Sequence, residues 1–288
     1  MAEKVFLNNE IINIDKACIS ATDSGFLYGT GLFETMRSCN GVVFALDDHL
    51  DRLFSSANTL SIEINHDKKF ITDAIYNVLE ANELTDARIR LTLTGGPMSP
   101  SDDGKKSTLL ITAIELQPYP KEYYEKGVLV VLCPYRQNEN DPTCGHKTTS
   151  YFPRMIALKM ALRKRAAEAL WFTSDNRLAE GCVSNVFIVK DTTLYTPPLY
   201  TPVLPGVARK KVCTLVNENS IKLIEEDLTI DDVLGADEIF LTNVIMQVMP
   251  VVQVEKHIVG KGNVGVVTKT ILELFHKMIE NQCLRKNR

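Results

Sequence analysis

The sequence predicts a mixed α/β protein of two domains, and three observations lead to that prediction. Strand-like runs alternate along the chain with segments whose apolar residues recur at helical spacing. Pro118 and Pro120 interrupt the chain between two such groups, as is typical of a boundary. The length of 288 residues suffices for two modest domains. We therefore expect a small N-terminal α/β domain over 1–120 and a larger mixed-sheet domain over 121–288.

Composition and charge narrow the class of protein. Hydrophobic residues make up 45% of the chain and charged residues 24%, which is ordinary for a globular protein. The 32 basic and 36 acidic residues give a net charge of −4, so we expect no nucleic-acid partner. Apolar stretches stay shorter than a membrane span requires. The 7 cysteines form no Cys-x-x-Cys pair, which favours reduced thiols in a cytoplasmic protein and no metal site.

Local patterns place the elements in order. Val5-Phe6-Leu7 and Ile11-Ile12 flank a turn-prone Asn8-Asn9-Glu10, which predicts a hairpin. Asp47 or Asp48 can cap a helix whose apolar residues continue at i, i+3, i+4 spacing. Further helices are expected at 68–81, 152–169, 207–217 and 264–279. Strands are expected at 88–94, 107–115, 128–133, 169–173, 186–189, 238–241 and 248–254, and a glycine- and serine-rich loop at 95–106.

The segment Asp23–Arg37 concentrates glycine and aromatic residues. Gly25, Gly29 and Gly31 have the spacing G-x-x-x-G-x-G, which differs from both the dinucleotide fingerprint and the P-loop. Read by itself, the pattern favours a tight structural turn in which the backbone approaches another group closely.

Three charged side chains are each open to two interpretations. Arg52 lies beside apolar residues of its helix, where a guanidinium could bind a phosphate dianion or only extend its stem over the core. Lys147 precedes a helix, either as a solvated loop residue or as an amine that forms a Schiff base. Glu180 comes just before a strand, where it could cap a turn or keep a pyridinium nitrogen protonated.

Two further segments could bind an anion. Pro205-Gly206 starts a helix, and the first backbone N–H groups of that helix, at Val207 and Ala208, find no acceptor within it. Thr242 lies at a strand end, where its hydroxyl could complete a phosphate site. Each segment is ordinary when taken alone.

Taken together and in this order, these segments resemble the fold type IV pyridoxal-phosphate enzymes. That family contains branched-chain aminotransferases, D-amino acid aminotransferases and 4-amino-4-deoxychorismate lyases. The resemblance extends from about Asp23 to Val252, which is most of the chain. It implies two α/β domains with pyridoxal 5′-phosphate between them, and usually a homodimer.

The resemblance also implies roles for residues around the cofactor. Lys147 matches the lysine that forms the Schiff base and later moves the proton. Arg52 matches the phosphate-binding arginine, and Glu180 matches the partner of the pyridine nitrogen. Leu204 would lie against the ring, while the phosphate would receive the backbone N–H groups of Val207 and Ala208 and the hydroxyl of Thr242. The residues expected at the substrate are Tyr28, Phe33, Arg90, Tyr151 and Asn243.

The expected activity is transfer of an amino group between a small amino acid and a 2-keto acid by a ping-pong mechanism. Phe33-Glu34-Thr35 and the segment 147–151 resemble the aminotransferases. Ala208 lacks the hydroxyl that many aminotransferases have there, and 242–251 looks more like the lyases. A 4-amino-4-deoxychorismate lyase, releasing pyruvate and 4-aminobenzoate, is therefore the alternative, and the residues leave open the hand of the amino acid.

Overall fold

The computed structural model describes residues 3–98 and 107–284, so most of the predicted loop 95–106 lies outside the described residues. The chain divides into two compact units. The first unit consists of Met1–Gln117, His146–Ser150 and Ile279–Arg288, and the second of Pro118–Gly145 and Tyr151–Met278. The division into domains at 1–120 and 121–288 stays a prediction.

A six-stranded antiparallel sheet forms the centre of the first unit. Its strands are β1 (Lys4–Leu7), β2 (Glu10–Asn13), β3 (Gly31–Cys39), β4 (Val42–Val43), β5 (Ala87–Thr94) and β6 (Thr108–Glu115), in the order β2-β1-β6-β5-β3-β4. Its helices are α1 (Ser24–Tyr28), α2 (Leu46–Thr59) and α3 (Lys68–Ala81), with a 3₁₀ turn at Ile14–Lys16. Apolar residues of α2, α3, β3 and β5 form one buried cluster. The strands contribute one face to it, because every second side chain of a strand points to the same side of the sheet.

The second unit contains an eight-stranded mixed sheet. Its strands are β7 (Val128–Gln137), β8 (Glu168–Thr173), β9 (Asn185–Lys190), β10 (Thr193–Thr196), β11 (Leu223–Glu225), β12 (Glu238–Asn243), β13 (Gln247–Val254) and β14 (His257–Ile258). The order is β11-β10-β9-β12-β13-β7-β8, with β14 beside β13. Helices α4 (Lys121–Lys126), α5 (Phe152–Arg163), α6 (Val207–Glu218) and α7 (Ile230–Leu234) belong to this unit, and α8 (Val266–Cys283) contributes residues to both.

Three local predictions were wrong. Ala45 precedes α2 in a left-handed conformation, while Asp47 and Asp48 lie inside the first turn, where their charges suit the helix dipole. Helix α5 ends at Arg163 rather than near 169, because the chain turns at Arg165 with φ of 60°. The tight turn predicted for Asp23–Arg37 is instead α1 followed by the nine-residue strand β3.

The fold is the mixed α/β class that the sequence predicts. No helix within 3–98 and 107–284 is long and apolar enough to cross a membrane.

Candidate active site

Strand β3 directs two consecutive functional residues to opposite faces of the first sheet. Leu32, Glu34 and Met36 share one face because side chains alternate along a strand, and this face carries the buried core. Phe33 therefore points to the opposite face of the sheet. Arg90 of the neighbouring strand β5 lies on that same face. A carboxylate is thus placed inside an apolar core, where it needs charged or hydrogen-bonding partners.

Helix α2 supplies both partners of Glu34. Arg52 donates from Nε at 2.8 Å and from Nη2 at 2.6 Å, which is a bidentate pair. The Nδ1 atom of His49 lies 2.7 Å from the second carboxylate oxygen. Glu34 and His49 are each 1% exposed. Burial raises the pKa of Glu34, but the charge and hydrogen bonds of Arg52 and His49 outweigh it and lower the pKa to about 2. Glu34 is therefore an ionised carboxylate at neutral pH.

His49 is neutral for a related reason. Burial lowers its pKa; the hydrogen bond and charge of Glu34 act the other way, and the positive charges of Arg52 and Lys147 lower it further. A neutral imidazole that donates Nδ1–H to Glu34 leaves Nε2 as an acceptor. Within the described part of the chain, that Nε2 atom has no hydrogen-bond partner.

Lys147 is fixed against the start of β3 through its backbone. Its carbonyl accepts from the N–H of Phe33 at 2.8 Å, and Thr149 N–H donates to Gly31 at 2.8 Å. The side-chain Nζ then lies 4.4 Å from the centroid of the Phe33 ring. Arg90 contacts the same ring, with its Cζ 3.6 Å from the centroid. The first unit thus gathers three of the predicted residues, Lys147, Phe33 and Arg90, through cation–π contacts.

Tyr28 ends α1 and is 67% exposed. The next residue, Gly29, turns the chain with a φ of 71°, and its carbonyl accepts from the Thr149 hydroxyl at 2.7 Å. The helix that carries Tyr28 is therefore attached to the segment that carries Lys147.

The second unit holds Glu180 in a loop before β9. One carboxylate oxygen pairs with Nη2 of Arg154 at 2.5 Å, and the other accepts from the backbone N–H of Leu204 at 3.0 Å. The amide of Asn185 lies 3.4 Å from that second oxygen and also donates to the Leu204 carbonyl at 2.9 Å. Glu180 is 4% exposed, so these contacts position a nearly buried carboxylate.

A second acid, Glu168 on β8, holds this loop in place by accepting hydrogen bonds from the residues that follow Glu180. It is 0% exposed and accepts from the N–H groups of Cys182 at 2.8 Å and Val183 at 3.1 Å, and from the Ser184 hydroxyl at 3.0 Å. Burial raises the pKa of Glu168, and these hydrogen bonds only partly offset that effect. Glu168 thus fixes the backbone that follows Glu180.

Thr242 and the start of α6 offer a suitable place for a phosphate. Thr242 is 1% exposed, and within 3–98 and 107–284 its hydroxyl oxygen has no hydrogen-bond partner. Thr242 pairs in register with Asn185, and α6 packs against the same strand. Gly206 precedes α6 so closely to Asn185 that a Cβ there would overlap the Asn185 amide oxygen. The orphaned hydroxyl and the first N–H groups of α6, at Val207 and Ala208, are the donors that an anion requires.

This donor set fits pyridoxal 5′-phosphate. In the second unit, Glu180 suits a protonated ring nitrogen, while Thr242, Val207 and Ala208 suit the phosphate. Leu204 is joined to Glu180 through its backbone, which keeps its side chain in the same neighbourhood.

Two predicted substrate residues make bonds within the second unit. The Tyr151 hydroxyl donates to the carbonyl of Cys182 at 2.7 Å, and burial raises the Tyr151 pKa, so the phenol stays protonated. Asn243 donates to the carbonyl of Val183 at 3.0 Å and accepts from the backbone N–H groups of Ile245 and Met246. Their contact with substrate stays a prediction.

Four charged or titratable residues of these clusters were not among the predicted site residues: Glu34, His49, Arg154 and Glu168. Their partners are distant in sequence, so spacing alone gave little signal. Arg154 is the exception, because a cation in the first turn of a helix, next to Pro153, opposes the helix dipole and indicates a specific anion nearby.

Comparison with known proteins agrees with this chemistry. The family described as amino-transferase class IV matches residues 31–254. A protein of Methanocaldococcus jannaschii, provisionally named a branched-chain-amino-acid aminotransferase, is 34% identical over 94% of this chain and 95% of its own length. A D-alanine aminotransferase of Staphylococcus epidermidis is 26% identical over 98% of this chain and 99% of its own length.

The solved structures extend the likeness to the fold. The branched-chain amino acid aminotransferase of Escherichia coli superposes with a TM-score of 0.93 at 26% identity, covering 100% of this chain and 98% of that one. The predicted class, two α/β units of the fold type IV kind, is therefore confirmed. The chain belongs to the class IV aminotransferase family, and it is a transaminase whose cofactor is pyridoxal 5′-phosphate.

Proposed function

We propose that this transaminase attaches its cofactor to Lys147 and moves an amino group between a small amino acid and a 2-keto acid. The observation that carries the proposal is the placement of Lys147 Nζ 4.4 Å from the Phe33 ring, with the Arg90 guanidinium on the same ring. An amine for the reaction and a cation for a carboxylate thus belong to one cluster. The curated relatives named above are aminotransferases, which favours amino transfer over the lyase reaction.

The chain's own residues would divide the work as follows. When bound, pyridoxal phosphate withdraws electrons from the substrate's α-carbon, which makes that carbon acidic. The amine of Lys147 would accept the proton that this carbon releases and would donate it again later in the transfer, because the 147–149 segment holds that amine beside Phe33. Arg90 binds the substrate carboxylate as a planar fork. Phe33, Tyr28 and Tyr151 would shape the space around the substrate and exclude water.

Binding of the cofactor is assigned to the remaining predicted residues. Glu180 would hold the ring nitrogen, and Leu204 would lie against the ring. The Thr242 hydroxyl, the first N–H groups of α6 and the guanidinium of Arg52 would bind the phosphate. Support for Arg52 is its bidentate bond to Glu34, which uses Nε and Nη2 and fixes the plane of the guanidinium.

The proposal includes ping-pong kinetics, a homodimer and a cytoplasmic location. The first keto acid leaves before the second binds, because both substrates use the same amine. Helix α1 supports a second copy, because it exposes 77% of Phe26 and 67% of Tyr28, and large exposed aromatic rings are typical of an interface. All 7 cysteines are free thiols, as suits a reducing compartment.

The test is the absorbance spectrum of the purified protein while single amino acids of both hands are added without a keto acid. We expect a yellow protein that bleaches with its amino donor, stays bleached, and regains its colour with a keto acid. The amino acid that acts fastest identifies the donor and its hand. A yellow protein that no amino acid bleaches would contradict the proposal and favour the lyase, to be tested with aminodeoxychorismate.

A further inference from the structure

Arg154 occupies an electrostatically poor position that only a specific partner explains. It lies in the first turn of α5, directly after Pro153, where the helix dipole disfavours a positive charge. Its Nη2 atom lies 2.5 Å from Glu180 Oε1, and its Nη1 atom donates to the carbonyl of Gly181 at 2.9 Å. Arg154 therefore binds both the side chain of Glu180 and the backbone that follows it.

The guanidinium is itself well fixed. Its Cζ lies 5.4 Å from the Trp171 ring centroid and 5.9 Å from that of Tyr151, and its side chain is 20% exposed. Nη2 also lies 3.4 Å from the amide oxygen of Gln137. Burial lowers the pKa of Arg154, but the charge of Glu180 outweighs it and the net shift is upward. Arg154 is a permanent cation in a rigid setting.

The donors on Glu180 differ in kind. Arg154 is the charged one, whereas the Leu204 N–H at 3.0 Å and the Asn185 amide at 3.4 Å are neutral. A carboxylate has about four acceptor positions, so these bonds leave capacity for one more donor. Removing the arginine would leave a buried charge with neutral donors only, which is strongly unfavourable and lets the carboxylate rotate away from its position.

We propose that Arg154 is a positioning residue that fixes the Glu180 carboxylate, in its charged form, for the ring nitrogen of the cofactor. The inference rests on the proposed role of Glu180. On this inference the effect of Arg154 on the cofactor passes through that carboxylate, so Arg154 should matter only for a cofactor that has a ring nitrogen to bind.

The experiment compares two ligands by equilibrium dialysis with the full-length protein freed of cofactor. One is pyridoxal 5′-phosphate; the other is its 1-deaza analogue, in which CH replaces the ring nitrogen while the aldehyde and phosphate stay. The lysine and phosphate contacts contribute equally to both ligands, so the ratio of affinities reports on the ring nitrogen. We expect the unaltered protein to prefer pyridoxal phosphate by about tenfold or more, the scale of one charge-assisted hydrogen bond.

Arg154→Met should reduce that preference by about tenfold, with the affinity for the deaza analogue unchanged. Arg136→Met, a change at an exposed arginine of the same unit, should leave the preference intact. A loss that is equal for both ligands would indicate a merely structural role. An unchanged preference, or a stronger one because Arg154 competes for the carboxylate, would overturn the inference.

A second pair of variants separates this inference from the function on which it rests. Glu180→Gln should abolish the preference; if it does not, the proposed role of Glu180 is wrong. If Glu180→Gln abolishes it and Arg154→Met does not, only the inference about Arg154 fails. Should Arg154→Met fail to fold, Arg154→Lys keeps the charge without the planar fork and should lower the preference at least about threefold. An unchanged preference in Arg154→Lys would then contradict the inference.

Discussion

Each unit of the molecule contains a buried carboxylate paired with an arginine, and the two pairs differ in how many of the bonds to the carboxylate the arginine supplies. Glu34 receives two bonds from Arg52, at 2.8 and 2.6 Å, and a third from His49 at 2.7 Å. Glu180 receives one bond from Arg154 at 2.5 Å, and its other donors are neutral. The arginine thus supplies two of the three bonds to Glu34 but only one of the three bonds to Glu180.

The difference follows from where each acid lies. Glu34 belongs to a strand and faces the apolar core, so the surrounding structure must neutralise it fully. Glu180 lies in a loop that Glu168 fixes through three hydrogen bonds to the residues that follow. The comparison indicates that the pair in the first unit orients an arginine, whereas the pair in the second unit orients a carboxylate.

The largest effect is expected beside the first pair, at Lys147. Lys147→Ala should abolish turnover, because it removes the amine that the backbone bonds of the 147–149 segment place against Phe33. Turnover is measured with the donor found in the absorbance panel. Lys159→Ala, at an exposed lysine of α5, is the control and should stay active. Steady-state activity in Lys147→Ala would rule out its role as the amine.

The comparison predicts unequal stability losses for the two acids. Glu34→Gln removes the buried negative charge that Arg52 binds through two bonds and should lower the free energy of unfolding by roughly 3–5 kcal/mol. Glu180→Gln should cost less, because Arg154 is 20% exposed and retains the Gly181 carbonyl. Urea unfolding of both variants measures the difference, with Glu63→Gln as an exposed control. Equal losses would mean that the two pairs are equivalent.

Lowering the pH should weaken the stabilisation that the first pair provides. The pKa of Glu34 is lowered from 4.5 to about 2, so its stabilisation is complete above pH 4.5 and disappears as the pH falls towards 2. The shift corresponds to about 3 kcal/mol. His49, whose pKa is lowered from 6.5, acts in the same direction, because the unfolded chain takes up a proton first as the pH falls. Between pH 7 and pH 2, the free energy of unfolding should therefore fall more steeply with decreasing pH for the unaltered protein than for Glu34→Gln.

Arg52→Ala tests whether the first pair serves the phosphate. Affinity for pyridoxal phosphate should fall by roughly 2–5 kcal/mol, the scale of a buried charge-assisted contact that loses one partner. Affinity for pyridoxal, which lacks the phosphate, should stay unchanged in the same variant. Arg88→Ala, at an exposed arginine of β5, should affect neither ligand. Unchanged affinity for pyridoxal phosphate would remove Arg52 from the phosphate site.

The smallest effect is expected at Thr242. Thr242→Val removes a buried hydroxyl that has no hydrogen-bond partner in the described chain, so the cofactor-free protein should be equally stable or slightly more stable. Affinity for the cofactor should nevertheless fall by roughly 1.5 kcal/mol, the value of a hydrogen bond to a charged group. Thr242→Ser keeps the hydroxyl and should bind normally. A destabilised valine variant with normal affinity would assign the hydroxyl a structural role.

The sequence predicted the parts of the fold that local patterns determine. Helix α3 was predicted at its observed limits because its apolar residues follow one stripe, and in the structure the Asp67 side chain caps its start. Strand β3 was missed for two reasons. Gly25, Gly29 and Gly31 suggested a turn, and the four residues 31–34 are all buried, so the strand does not begin with alternating buried and exposed positions. Tertiary contacts decided that segment.

The site was predictable to a similar extent. Order and type of residue sufficed to identify Lys147, Arg52 and Glu180 as candidates through the family resemblance. Their partners could not be found this way, since Glu34 lies 18 residues from Arg52 and Glu180 lies 26 residues from Arg154. Such pairs form only when a strand and a helix, or a helix and a loop, pack together.

The most direct test is to locate the covalently bound cofactor. Borohydride reduces the bond between the pyridoxal phosphate aldehyde and a lysine amine, so the label survives proteolysis and its position can be read by mass spectrometry. We expect the pyridoxyl group on Lys147 alone, and none after prior bleaching with the amino donor. A pyridoxyl group on any other lysine of the active protein would contradict the placement of the reaction at Lys147.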